Sequence, residues 1–135
     1  MKVAIISFLL IAFCSCREEQ KEFGCGTYDR NLQDTFRIRK SVGAALFKAN
    51  CASCHNPDSR KSTGPGLRCA TSRMPAGTWK YEWVKNSTKL IASGDAYATK
   101  IFNDYNKSIQ TRFPDMTNEQ IDSIFAWIDE SYPCR

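Results

Sequence analysis

The sequence has few residues of several kinds, and each scarcity excludes a class of structure or function. Among 135 residues there is one histidine, His55, so a metal held between two histidines of this chain is excluded. The densest basic stretch covers only residues 37–40, which gives little support for nucleic-acid binding. No segment alternates apolar and polar residues as a half-buried strand does. The pattern therefore predicts an all-α protein.

The longest apolar run, residues 3–13 behind Lys2, is too short to span a bilayer and has the form of a secretory signal. It ends at Cys14-Ser15-Cys16, which resembles the cleavage box of bacterial lipoproteins. We predict a signal peptide over residues 1–15 and a lipid on Cys16, with Cys14 as the alternative and a buried helix as the competing interpretation. The protein is then exported, lipid-anchored to a bacterial membrane, and faces the periplasm or the cell surface.

The motif that carries chemistry is Cys51-Ala52-Ser53-Cys54-His55. C-x-x-C-H is the spacing at which two thiols bond the vinyl groups of a haem and the imidazole binds its iron. The motif has two other interpretations, a zinc site and a thiol redox pair. A zinc site could add Cys69, but adjacent Cys54 and His55 seldom reach one tetrahedral ion. A thiol redox pair should open a helix, whereas this pair closes one.

Helical periods occur in four places. Residues 41–50 form a predicted first helix, with Ser41 as a candidate N-cap and Val42, Leu46 and Ala49 on one face. Two further helices are predicted over residues 79–91 and 97–105, with a break at Ser93-Gly94. Residues 17–35 are polar and show no sustained period, which indicates a loosely structured tether.

The last predicted helix has the best-defined start. Thr117 and Gln120 match a capping box, and Met116 faces Ile121 as a hydrophobic staple. Ile121, Ile124, Phe125 and Ile128 continue as one apolar stripe.

From Gly43 through His55 and on to Gly64-Pro65-Gly66-Leu67, the sequence resembles the class I c-type cytochromes, and the resemblance extends to about Ser131. It implies the cytochrome c fold, a few helices wrapped around one covalently attached haem c. The domain would span residues 41–135, with residues 16–40 as a tether or N-terminal extension.

The resemblance also implies roles for particular residues. Pro65 and Leu67 would lie in the haem pocket, and the first carbonyl of their turn would orient His55. Trp127 would cross the first helix at Gly43. In this fold Cys69 and Cys134 lie close enough for a disulfide, while Cys25 with Cys134 is the rival pairing.

The sixth iron ligand is where the sequence departs from this family. The usual methionine stands three residues before a Phe-Pro, and here that position is held by Gln110. Met116 lies farther along the chain and is the other candidate, although a methionine that packs on Ile121 as a staple is not free to bind iron. Met74 follows the proximal loop too closely to reach the opposite face. Methionine would raise the reduction potential, whereas an oxygen ligand or an open position would lower it.

These features predict a non-enzymatic, single-electron carrier in a membrane-associated respiratory chain outside the cytoplasm. The alternative is a haem protein that binds or senses a small gas or peroxide at a non-methionine or open sixth position. Without residues 1–15 the chain has a formal charge of +4. We therefore expect redox partner proteins with acidic docking surfaces, the membrane as a partner through the N-terminal lipid, and no nucleic acid.

Overall fold

The structure is a computed structural model, and it describes residues 30–134. Five helices follow in chain order: α1 Arg30–Asn50, α2 Ala70–Arg73, α3 Trp79–Ala92, α4 Ala96–Asp104 and α5 Asn118–Ser131. Within this range no residue is in a strand, and the predicted all-α fold is confirmed. The predictions for residues 1–15, Cys16 and Cys25 lie outside the described residues.

None of the helices within residues 30–134 combines the length and the apolar character that crossing a membrane requires.

The fold is organised by the crossing of α1 and α5 at Gly43. A β-carbon added to Gly43 would lie 1.9 Å from the main-chain oxygen of Ser123 and 3.0 Å from the β-carbon of Trp127. Only a residue without a side chain lets the two helices approach this closely. Phe47 then packs on Trp127, with ring centroids 5.1 Å apart. The predicted crossing of Trp127 at the first helix's glycine is present.

Two apolar clusters fill the interior. The larger lies between α1 and α5 and contains the predicted stripe of the last helix: Phe47, Ala70, Met116, Ile121, Ile124, Phe125 and Ile128. The smaller joins α3 to α4 through Trp79, Leu90 and Ala98. Met74 packs against both clusters and so links them.

The first helix begins eleven residues earlier than the sequence analysis predicted, at Arg30. Residues 30–40 contain no glycine or proline and are rich in Leu, Gln, Arg and Lys, which favour helix without an apolar period. Ser41 is therefore inside the helix, and its hydroxyl donates to the Ile38 carbonyl instead of capping. Val42 is exposed, and the core face of α1 carries Gly43 and Phe47.

The later helices match their predicted positions closely. Thr117 accepts from the Gln120 main chain at 3.2 Å and its own N–H donates to the Gln120 side chain at 2.9 Å, so the predicted capping box is confirmed. Met116 and Ile121 share one core cluster, as a staple requires. Helix α3 contains one departure from regular geometry, at Asn86 with φ −160° and ψ 78°.

The segment after the Gly64–Leu67 turn is fastened to the C-terminal end of α5. Cys69 and Cys134 form a disulfide with their α-carbons 5.6 Å apart, the pair that the sequence analysis favoured. Arg68 donates two hydrogen bonds to the Pro133 carbonyl, and Thr71 donates to Asp129. These links hold the turn, and the residues on it, in a fixed relation to the helical core.

Candidate functional site

A cavity of about 540 Å³ opens between the end of α1, the Gly64–Leu67 turn and the helices α3 to α5. This volume is in the range of small-molecule and cofactor sites in proteins. Cys51, Cys54 and His55 all line it, as do Pro65 and Leu67. Five residues that the sequence singled out for one site are thus brought together by the fold.

The cysteine pair enters the cavity because α1 ends at Asn50. The N–H of Cys51 still bonds to the Phe47 carbonyl at 2.8 Å, and His55 N–H bonds to the Cys51 carbonyl at 2.9 Å. These bonds curl residues 51–55 into one compact turn directly after the helix. Cys51 is partly buried and Cys54 is exposed, and neither is in a disulfide.

The two thiols differ in their surroundings. Burial, and secondarily the neighbouring Cys54 sulfur, raise the pKa of the Cys51 thiol to about 11. Cys51 is therefore a neutral thiol at ordinary pH, not a thiolate poised for disulfide exchange. This disfavours the thiol redox interpretation of the motif.

His55 is held by one hydrogen bond that determines which of its nitrogens is available. Its Nδ1 lies 2.9 Å from the Pro65 carbonyl oxygen, which can only accept, so Nδ1 carries the proton. Nε2 is then unprotonated in the neutral ring. Burial lowers the pKa of His55, and the Pro65 hydrogen bond offsets part of that effect. The neutral ring with a bare Nε2 is the form that binds a metal ion.

The accepting carbonyl differs from the one expected. The first carbonyl of the turn, on Gly64, accepts from Ser62 N–H at 3.0 Å, and the next one, on Pro65, accepts from His55. Gly64 has a different role: because it has no side chain, it leaves room for the His55 ring. A β-carbon there would lie 2.3 Å from Cε1 and 2.7 Å from Nδ1 of His55. The imidazole thus packs directly against the main chain of the turn.

The candidate sixth ligands occupy different places. Gln110 is partly buried and lines the cavity, and its Nε2 donates to the main-chain carbonyl of Trp83 at 3.4 Å. Met116 is buried, at 9% exposure, in the α1–α5 core and borders a separate groove. Met74, which the sequence analysis set aside, does line the cavity. The fold therefore brings Gln110 to the site and places Met116 in the core.

Aromatic and basic side chains complete the walls. Trp83, Tyr97 and Tyr105 line the cavity, so residues that the helical pattern predicted as core also face the site. Three basic residues also lie on its lining, and the sequence did not place any of them there: Lys61, Arg73 and Lys100. Lys61 lies over the Tyr105 ring, 4.6 Å from its centroid. No sequence signal placed Arg73 and Lys100 at the site, because they belong to the separate helices α2 and α4, which only tertiary packing brings to the cavity.

The residues present fit a haem. Two unpaired thiols three residues apart, a histidine with an unprotonated Nε2 and a largely apolar cavity meet at one place. The zinc interpretation lacks a ligand set, since Cys69 is in a disulfide. Among residues 30–134, no three or more His, Cys, Asp or Glu side chains are grouped to hold an ion.

Comparisons with known proteins agree with this geometry. The sequence model of the family Cytochrome c matches residues 41–131. Cytochrome c from Rhodothermus marinus is similar in structure, with a TM-score of 0.59 and 20% identity over 70% of this chain and 77% of that one. An engineered cytochrome c from Rhodothermus marinus bound to a carbene intermediate is similar too, with a TM-score of 0.56, 19% identity and the same coverage of 70% and 77%.

No curated protein matches the sequence. The family match covers more than half of the chain, and the structural matches show the same fold. The chain therefore belongs to the cytochrome c family, and its cofactor is covalently bound haem c.

Proposed function

We propose that this cytochrome carries single electrons in a membrane-associated respiratory chain outside the cytoplasm, attached to its membrane by a lipid on Cys16. Membership of the family supports the role of haem c electron carrier. The observation that carries the proposal is the His55–Pro65 hydrogen bond beside two free thiols on one cavity. The signal-like residues 1–15 and Cys16 support the export and the lipid anchor.

The chain's own residues have distinct tasks in this role. When bound, the haem supplies an iron that changes oxidation state by one electron. Cys51 and Cys54 hold the group, and His55, with its ring fixed by Pro65 and Gly64, offers Nε2 to the iron. The apolar walls exclude water, while exposed Cys54 keeps one end of the cavity at the surface for electron exchange.

The proposed partners are redox proteins with acidic docking surfaces. Lys80 and Lys100 are paired with Asp122 and Asp104 in the chain, so they contribute less to a docking field. Exposed Lys61, on the cavity lining, and exposed Lys107 are better placed. We expect electron exchange with an acidic partner to slow as salt concentration rises. A rate independent of salt contradicts this part of the proposal.

A second candidate function, binding or sensing a small gas or peroxide, is favoured by one observation. Gln110 lines the cavity where the family has methionine, and its Nε2 is engaged by the Trp83 carbonyl. That bond leaves the amide oxygen as the group available to the cavity. An amide oxygen is a weaker ligand for iron than a thioether sulfur in the reduced state, so an added ligand could replace it.

Two measurements separate these functions. Reduced protein that resists carbon monoxide and passes electrons to membrane fractions supports the carrier. Prompt binding of carbon monoxide, with no electron exchange with membranes, supports the ligand-binding function and overturns the carrier.

For the anchor, mass analysis of protein purified from membranes should show a lipid on Cys16. A free Cys16 or a mature terminus at another residue contradicts the anchor alone.

A further inference from the structure

The N-terminal part of α1 carries an unusual concentration of exposed apolar side chains. Among residues 30–134, five large apolar side chains are exposed, and four of them lie in residues 30–42, which we call the α1 extension. Their exposed fractions are 70% for Leu32, 51% for Phe36, 62% for Ile38 and 41% for Val42. Exposed apolar side chains grouped so closely mark a surface that binds something.

The α1 extension is uncovered because α1 is longer than its partner. Helix α1 has 21 residues and α5 has 14, and their close crossing is at Gly43, just after the extension. Lys40 still reaches Glu130 of α5, with Nζ and Oε2 3.8 Å apart. The residues ahead of Lys40 project beyond the α1–α5 core.

The α1 extension is amphipathic, with most of its apolar side chains on one side of the helix. At about 100° of rotation per residue, its four exposed apolar side chains fall within an arc of about 160°. Gln33, Arg37 and Lys40 fall on the opposite side. Thr35 and Arg39 lie within the apolar arc, and the long stem of Arg39 can carry its charged end away from it. Helices with this pattern lie in the plane of a membrane surface, with the apolar side at the headgroup boundary.

The charge of the extension favours an anionic lipid surface over a second copy of the chain. Within the extension, Arg37, Arg39 and Lys40 outnumber the one carboxylate, that of Asp34, and of the three Lys40 forms an ion pair, with Glu130 of α5. Basic residues beside an interfacial helix are attracted to anionic headgroups. A symmetric dimer through the apolar side would instead bury Arg39 of both copies, with no carboxylate of the extension on that side to pair with it, and this opposes a dimer.

The short length of chain between Cys16 and the α1 extension is consistent with membrane binding by the extension. Thirteen residues lie between Cys16 and Arg30, so a fully extended chain would span at most about 50 Å from one to the other. A lipid on Cys16 would therefore keep the extension close to the membrane. We propose that the α1 extension lies on the surface of an anionic membrane, with Leu32, Phe36, Ile38 and Val42 at the headgroup boundary. This deepens, and in part rests on, the proposed function, because the Cys16 lipid brings the extension to the membrane.

The test uses haem-loaded protein with Cys16→Ser, exported behind a leader that is cleaved before residue 16, so that vesicle binding comes from the polypeptide alone. Binding is measured by sedimentation with vesicles of phosphatidylglycerol and, separately, of phosphatidylcholine. We expect binding to phosphatidylglycerol vesicles that weakens as salt is added. In the variant L32S/F36S/I38S we expect binding to fall at least about tenfold.

Ile109→Ser is the matched control, since Ile109 is 63% exposed but lies outside the extension. It should bind vesicles like the parent. The haem spectrum of the triple variant should be unchanged, whereas Ile109→Ser is a control for vesicle binding alone, because Ile109 also lines the haem cavity. Absence of binding to phosphatidylglycerol vesicles, or equal binding by the triple variant, overturns the proposal. So does a concentration-dependent dimer, without vesicle binding, that the triple variant abolishes, because a second copy then covers this face. A missing lipid on Cys16 in the natural protein, with vesicle binding intact, overturns only the anchor.

Discussion

The α-carbon of Gly43 lies against the main-chain carbonyl of Ser123, so close that an added β-carbon would be 1.9 Å from that oxygen. The obstacle is main chain of α5 and cannot rotate away as a side chain could. Gly43→Ala should therefore lower the free energy of unfolding by about 1–3 kcal/mol, the usual cost of overpacking. Thermal or denaturant unfolding of the haem-loaded protein measures this.

The control for that change is Ala45→Gly on the exposed side of the same helix. There the ordinary helix propensity applies, and glycine should cost about 1 kcal/mol relative to alanine. Glycine is thus the more stable residue at position 43, and alanine is the more stable residue at position 45. If Gly43→Ala were more stable than the parent, the close crossing would be wrong.

Gly64→Ala tests the support of the imidazole. The added methyl group would overlap the His55 ring, whose Cε1 lies 2.3 Å from the built β-carbon. We expect the ring to move off the Pro65 carbonyl and its bond to iron to weaken about tenfold, as for other losses around metal ligands, so that in an acid titration the His55 ligation is lost about one pH unit higher than in the parent. Ser62→Ala, exposed in the same loop, should leave this titration unchanged. Identical titrations for Gly64→Ala and the parent would refute the role given to Gly64.

The disulfide should affect stability and leave the haem site intact. Cys69 and Cys134 are 65 residues apart and neither lines the cavity. Replacing both with serine should lower the free energy of unfolding by about 2–4 kcal/mol, because the unfolded chain is no longer cross-linked. The visible spectrum should be that of the parent. A changed spectrum would show that this link positions the haem ligands as well.

Gln110→Met should convert the iron to histidine and methionine ligation. The variant should have a higher reduction potential than the parent and an added absorption near the red end of the oxidised spectrum. Met116→Ala should leave the spectrum unchanged and lower the free energy of unfolding by about 2–5 kcal/mol, because Met116 is a core side chain.

Met74→Ala is the matched control for Gln110→Met, since Met74 also lines the cavity. Its spectrum should equal the parent's. If the parent already shows the red-end absorption and Met74→Ala or Met116→Ala removes it, then that methionine is the sixth ligand. The assignment of Gln110 to the sixth position would then be wrong.

Much of the fold could be predicted because its signals are local. The capping box of α5 lies within four residues, and Gly43 marks a close helix approach by its lack of a side chain. The cysteines and His55 are adjacent in sequence, so one turn brings them to one cavity. The capping box and the turn of the cysteines and His55 depend on residues a few positions apart, whereas the crossing with α5 is marked at Gly43 by the residue type alone.

The features that were missed depend on distant parts of the chain. Residues 30–40 lack an apolar period, so their helix was not predicted, although their composition favours one. The bond from Gln110 to the Trp83 carbonyl joins residues 27 positions apart, and Met74 reaches the cavity through the path of the loop after α2. Periodicity within one segment cannot report such contacts.

The central claim is that a haem is covalently attached at Cys51 and Cys54, and intact-mass analysis of natively matured protein tests it most directly. We expect a mass increased by one haem, colour that stays with the polypeptide in acid acetone, and no alkylation of Cys51 or Cys54 after unfolding. Polypeptide mass without an added group, with both thiols open to alkylation, would contradict it.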